Sequence, residues 1–177
     1  IVTLTIKNEA LKDRMFLHPI KALTQTIEKK HVLTDVHDSL YKTSFKMFEQ
    51  NKILGIGPKM YRKHSRDERY QVGSSSFNTH PHNTYIQLLA ETGLIGFAIF
   101  ILFVITFLFK TFLHFKNLLL KKNHLSDFSV CIMAAIFINI WPIIPTGNFF
   151  NNWMSIVYYL PLGFYFSSLC QQEKSIY

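Results

Sequence analysis

Three apolar runs in the second half of the chain restrict its fold more than any other feature. They cover about 93–112, 128–144 and 153–170, and each meets the requirement of about 17–25 largely apolar residues for a helix that crosses the hydrocarbon core of a bilayer. The overall apolar content of 49% hides this division. Residues 1–92 hold 14 Lys/Arg and 9 Asp/Glu, whereas residues 93–177 hold 5 and 2 and most of the 17 phenylalanines. The expected fold is all-α: a polytopic integral membrane protein with a helical periplasmic loop segment, 1–92, ahead of a membrane domain, 93–177.

Charge sets the expected orientation. The connection between the first two runs, KTFLHFKNLLLKKNH, carries Lys110, Lys116, Lys121 and Lys122 and no acid, while the next, PTGNFFNNW, is uncharged. Lysine-rich short loops stay in the cytoplasm. Residues 1–92 and 145–152 are then expected on the outer face, the periplasm of a bacterium, in a multi-pass protein of the inner membrane. Membrane lipids are expected partners, and no nucleic acid. The start, IVTLTIKNEALKDR, has neither an initiator methionine nor the features of a signal peptide, and IVTLTI reads as the end of an upstream membrane helix. Cys131 and Cys170 fall inside the apolar runs and read as small apolar residues, with no disulfide framework or zinc spacing.

The outer segment reads as short helices joined by loops. TDVHDSLYKTSFKMFEQNK places Leu40, Phe45 and Phe48 near helical spacing, and LGIGPK ends that helix. A basic loop follows. Thr84-x-x-Gln87 has the pattern of a capping box, which puts His82 and Asn83 at a helix N-terminus. Backbone amides there favour anions and disfavour protonation of a nearby imidazole, so a neutral His82 suits proton acceptance. A surface turn or a capping role accounts for the same residues. Metal ligation by His80 and His82 with His64 or His37 is a further alternative, but no carboxylate or cysteine is spaced to complete a site, so neither metal nor cofactor is expected. Arg62, Arg66 and Arg69 read equally as a clamp for diphosphate oxygens and as a solvated basic loop paired with Asp67 and Glu68. In the apolar runs, Asn139 reads as a helix-to-helix hydrogen bond or a substrate contact, and Trp141 and Trp153 as interface anchors.

Three stretches resemble the bacterial O-antigen ligase and O-antigen polymerase family, the group with a Wzy-C domain. NKILGIGPKMYR is similar to its N-P-hydrophobic-hydrophobic-G-hydrophobic-G element, with Lys52 in place of the usual proline. THPHNTYIQLLAETGLIGF is similar to its signature H-N-x-hydrophobic-hydrophobic-Q-x-x-x-E-x-G, and IPTGNFFNNW resembles a segment of one subgroup. The resemblance covers about residues 35–170. It implies a membrane glycosyltransferase that moves a glycan from a polyprenyl diphosphate carrier to a hydroxyl acceptor, either lipid A-core or another lipid-linked glycan. His82 matches the family's functional histidine, and His80 and Asn83 beside it are expected to bind substrate. The family's arginine ahead of the G-x-G element has no counterpart in HDSLYK, so Arg14 or Arg62 is expected to hold the diphosphate. The rival expectation is a non-catalytic membrane module or transporter part that binds anionic glycans or lipids.

Overall fold

The computed structural model describes residues 9–21, 24, 34–73, 76–122 and 125–174, and these are helical with connecting turns and no strand, as the all-α expectation requires. Helix α1 (Glu9–Lys12) runs into a π-helical turn, Asp13–Leu17; then come α2 (Asp35–Gln50), α3 (Tyr61–His64), α4 (Thr84–Leu119), α5 (Asp127–Ile140) and α6 (Asn152–Lys174). The IVTLTI stretch lies outside the described residues.

Thr34 caps α2: its hydroxyl oxygen accepts the His37 backbone N–H at 3.5 Å and pairs with His37 Nδ1 at 2.8 Å. The buried stripe of α2 is Leu40, Thr43, Ser44 and Met47. Phe45, expected on that face, stays 46% exposed. Small residues in the stripe let α2 lie close against α4, and Ser44 satisfies its hydroxyl on the Leu40 carbonyl at 2.7 Å. Met47, Tyr61, Tyr70 and Ala90 form the core between α2, α3 and the first turns of α4, with Ile56 packed against them.

Helix α4 is two helices joined at Gly93, whose φ of 62° and ψ of −162° interrupt the spiral. A break of this kind leaves carbonyls on one side and N–H groups on the other without intrahelical partners. The 52–57 segment supplies them. The N–H groups of Ile56 and Gly57 donate to the Ala90 and Glu91 carbonyls at 3.0 and 2.9 Å, and the Lys52 and Ile53 carbonyls accept from Leu94 and Ile95 at 2.8 and 3.3 Å. This backbone clip needs glycine on both sides. A Cβ on Gly55 would lie 2.5–2.6 Å from the Glu91 carbonyl group and the Gly93 nitrogen, and a Cβ on Gly93 would run into Ile53.

Beyond Gly93, α4 packs through Val104 and Phe107 on Ile132, Met133, Ile136 and Ile140 of α5 and Tyr165 of α6. Its other side leaves Ile99, Leu102, Ile105, Phe109 and Phe112 exposed. Helix α4 is long and apolar enough to cross a membrane, and it is the one such helix among the described residues. It ends at the lysines, where Lys121 takes a φ of 53° and the Lys122 N–H closes on the Asn117 carbonyl at 2.9 Å.

The second apolar run, expected to reach 144, is helical only to Ile140, because Pro142 follows Trp141 and the residue ahead of a proline disfavours helical geometry. With 14 residues, α5 spans about 21 Å at 1.5 Å per residue, less than the roughly 30 Å hydrocarbon core. Helix α6 runs for 23 residues with Pro161 inside it. Asn139 bonds the Ala135 carbonyl of its own helix at 3.0 Å.

Candidate functional site

The turn 78–83 carries the histidines. Asn83, not Thr84, is the N-cap of α4, with Oδ1 accepting the Tyr85 and Ile86 N–H groups at 3.0 and 3.1 Å. The expected capping box does not form, because asparagine caps better than threonine and Gln87 is drawn elsewhere. Its amide nitrogen bonds Glu91 Oε2 at 2.8 Å and Asn148 Oδ1 at 2.9 Å, and its oxygen accepts the Phe149 N–H at 3.0 Å. Pro81 is buried beneath the turn. His82 then takes a left-handed backbone, φ 58°, a conformation that costs a non-glycine residue about 1–2 kcal/mol.

The hydrogen bonds define both imidazoles. Asn78 Oδ1 accepts the Thr79 N–H at 2.7 Å, which fixes its amide so that Nδ2 donates to His82 Nε2 at 3.2 Å. His82 therefore carries its proton on Nδ1. His80 Nε2 faces the Thr146 carbonyl at 3.3 Å and donates to it, leaving Nδ1 to accept from the Thr79 hydroxyl at 2.9 Å. The two rings lie 4.3 Å apart, and His37 of α2 stands 6.2 Å from His82. Burial first, and then the neighbouring His37, pushes the His82 pKa below its ordinary value; burial and His82 do the same for His80, against the Thr146 contact. Both shifts favour the neutral ring.

The connection between α5 and α6 closes over this turn. The Thr146 N–H donates to the His82 carbonyl at 3.0 Å, Asn83 Nδ2 to the Pro142 carbonyl at 2.7 Å, and the Thr84 hydroxyl to that of Thr146 at 2.9 Å. A cleft of about 670 Å³ lies alongside, with Lys59, Arg62, Thr79 and His80 on one wall and Gly147, Asn148 and residues 150–154 on the other. Lys59 Nζ reaches across to Asn152 Oδ1 at 3.3 Å.

Arg62 and His80 thus line the cleft together, and His82, whose ring lies 4.3 Å from that of His80, is not itself among the lining residues. Asn83 is buried, with its oxygen in the cap and its amide nitrogen on Pro142. Arg14 lies on the exposed turn Asp13–Leu17 and is not among the lining residues. Arg69 binds Asp67 through Nε and Nη2 at 2.6–3.1 Å, a contact that holds the Asp67 carboxyl down at about 2. Arg66 stacks over Phe77 at 4.9 Å. His64 packs edge-on against Tyr70, and among the described residues no three of His, Cys, Asp and Glu are grouped to hold a metal ion.

Three contributors went unread in the sequence: Lys59, which looked like part of a turn, the uncharged TGNFFNN connection, whose asparagines bond Gln87 and Lys59, and Glu91. Glu91 is fully buried, with Oε1 accepting the Tyr61 N–H at 2.7 Å. Burial pushes its carboxyl upward, while the N–H groups of Tyr61, Lys59 and Met60 and the Gln87 amide oppose that shift. It therefore ties the Lys59–Arg62 wall to α4.

The comparison with curated proteins found no match, and that with solved structures found none. Residues 38–101, which run from α2 through the clip and the histidine turn into the apolar part of α4, match the family model Wzy_C, described as O-antigen ligase, so over this segment the chain is similar to that family, as the resemblance in the sequence led one to expect.

Proposed function

We propose that the chain is part of a glycosyltransferase of the bacterial inner membrane, crossing it several times, that moves a glycan from a polyprenyl diphosphate carrier to a hydroxyl acceptor at the periplasmic face. The observation that carries this reading is His82, on a left-handed backbone and with its ring against His80 of a basic cleft, within the segment that matches the O-antigen ligase model. Strain persists where the surrounding structure over-determines it, and such positions cluster at functional sites. Exposed Ile53 and Leu54 beside the Gly93 break, with exposed Trp153 on the cleft, suit the level of a membrane interface. A lipid-linked donor lies at that level too.

In the reaction proposed, the acceptor hydroxyl oxygen attacks the anomeric carbon and the bond from that carbon to the diphosphate oxygen breaks. Polyprenyl diphosphate leaves with the bonding electrons. The hydroxyl proton passes to His82 Nε2, where the acceptor takes the place of the Asn78 amide. Arg62 and Lys59 face the charge that develops on the leaving group. Arg62 is preferred to Arg14 because it lines the cleft.

Glycan transfer by the full chain in proteoliposomes tests this. Arg62→Ala is expected to lower the rate by about a hundred- to a thousandfold, as for the loss of one charge-stabilising donor. Lysine at 62 should restore it only in part, lacking the planar two-point contact. Arg69→Ala, whose partner is Asp67, should leave transfer near normal. Equal rates for all three variants would remove Arg62 from the site. Reporter fusions give a second expected outcome: cytoplasm at Lys121, periplasm at Gly73 and Asn148. A cytoplasmic Gly73 puts the histidines on the wrong face for this donor.

A further inference from the structure

The cleft has two chemically different walls, and the transfer reaction uses only one. Lys59 and Arg62 are cationic; the opposite wall, from the connection before α6, offers Asn151, Asn152 and Trp153, and no carboxylate lines the cleft. We propose that this second wall is a saccharide subsite, in which Trp153 stacks on the C–H face of a sugar ring and the Asn151 and Asn152 amides address its hydroxyls. The proposal rests on the transferase reading and deepens it, since the wall would hold the sugar next to the diphosphate. The wall lies outside the 38–101 segment matched by the family model.

The amides are aimed rather than loose. Asn151 Oδ1 accepts the Trp153 N–H at 3.1 Å, and Asn152 Oδ1 accepts from Lys59 Nζ at 3.3 Å. With both oxygens engaged, both NH₂ groups are left as oriented donors, and neither makes a hydrogen bond among the described residues. Trp153 is 81% exposed although it borders the cleft. A pyranose has an apolar C–H face and a rim of hydroxyls, which matches an aromatic face flanked by amide donors. A lipid tail has no use for the amides, and an isolated phosphate has none for the indole. The volume of about 670 Å³ lies within the range of small-molecule sites, about 300–1,000 Å³.

Binding without turnover tests the subsite. The probe is the free oligosaccharide repeat released by mild acid from bacterial lipid-linked glycan, which carries neither lipid nor phosphate. Saturation-transfer NMR on the full chain in detergent micelles should detect sugar protons in contact with the protein. Trp153→Ala should weaken affinity at least about tenfold, the scale of a stacking contact of about 1.4 kcal/mol, and Trp153→Phe should fall between. Inorganic diphosphate, the second probe, should bind all three proteins alike, which also shows the variants to be folded. Equal oligosaccharide affinity in wild type and Trp153→Ala, or no oligosaccharide bound by wild type, overturns the subsite. If either occurs while transfer proceeds, the subsite alone fails. If Trp153-dependent sugar binding appears without transfer, the subsite stands and the transferase reading fails.

Discussion

Replacing His82 by alanine is expected to lower glycan transfer by about 10²–10⁴-fold, the usual contribution of a positioned general base. Stability should follow a different course. His82 has a φ of 58°, so His82→Gly relieves a strain of about 1–2 kcal/mol while loosening the unfolded chain by about 0.4–1 kcal/mol. The glycine variant should therefore melt at or slightly above the wild-type temperature and still be inactive. A residue conserving only the turn's shape would show the reverse, with glycine active. The pH profile adds a sign. Burial and His37 lower the His82 pKa from 6.5, so the acid limb of the rate should lie below pH 6.5 and move upward in His37→Gln. The same shift means that the folded protein binds fewer protons than the unfolded chain just below pH 6.5. The stability contributed by neutral His82 is therefore present above pH 6.5 and is lost as pH falls toward the lowered value. An acid limb above pH 6.5 in the wild type contradicts this placement of His82.

The largest effect on folding is expected at the backbone clip. Gly55→Val must accommodate a side chain where a Cβ already lies 2.5 Å from the Glu91 carbonyl carbon, at a φ of 68°. Left-handed strain of about 1–3 kcal/mol adds to the buried N–H and carbonyl groups that lose partners, at about 1–3 kcal/mol each. A loss of roughly 3–6 kcal/mol follows, a large part of the stability of an ordinary domain. Thermal unfolding of detergent-purified protein measures it. Gly163→Ala provides the control, since nothing lies within 4 Å of a Cβ there. Should Gly55→Val melt like Gly163→Ala, the clip does not hold the fold together.

Features that follow from local chemistry were legible in the sequence. His82 at a helix start and the lysines beyond α4 each depend on neighbours a few residues away. The rest depends on distant partners. The Thr84 capping box failed because Gln87 finds Glu91 and Asn148 instead, and Asn148 is 61 residues away. The face of α2 was misjudged because Phe45 advertises burial more loudly than Thr43 or Ser44, although only small side chains permit the close approach to α4. The clip left no side-chain pattern, since its bonds are main chain to main chain. The paired glycines of LGIGPK and AETGLIG were its only trace. The cleft was invisible for a similar reason: its walls come from residues 59–80 and 147–154, which share no local periodicity.

An unbroken helix transmits rotation like a threaded shaft: one added residue turns everything beyond it by about 100°. The interruption at Gly93 is instead a splinted joint. The 52–57 segment grips the turn before the break through Ala90 and Glu91 and the turn after it through Leu94 and Ile95, so both parts of α4 take their angular setting from one piece of backbone. A residue inserted near Ile105 would turn only the stretch beyond it against α5 and α6, since the splint lies upstream. The bearing of the imidazoles on the cleft is thereby fixed by a few main-chain bonds and not by the continuity of the helix.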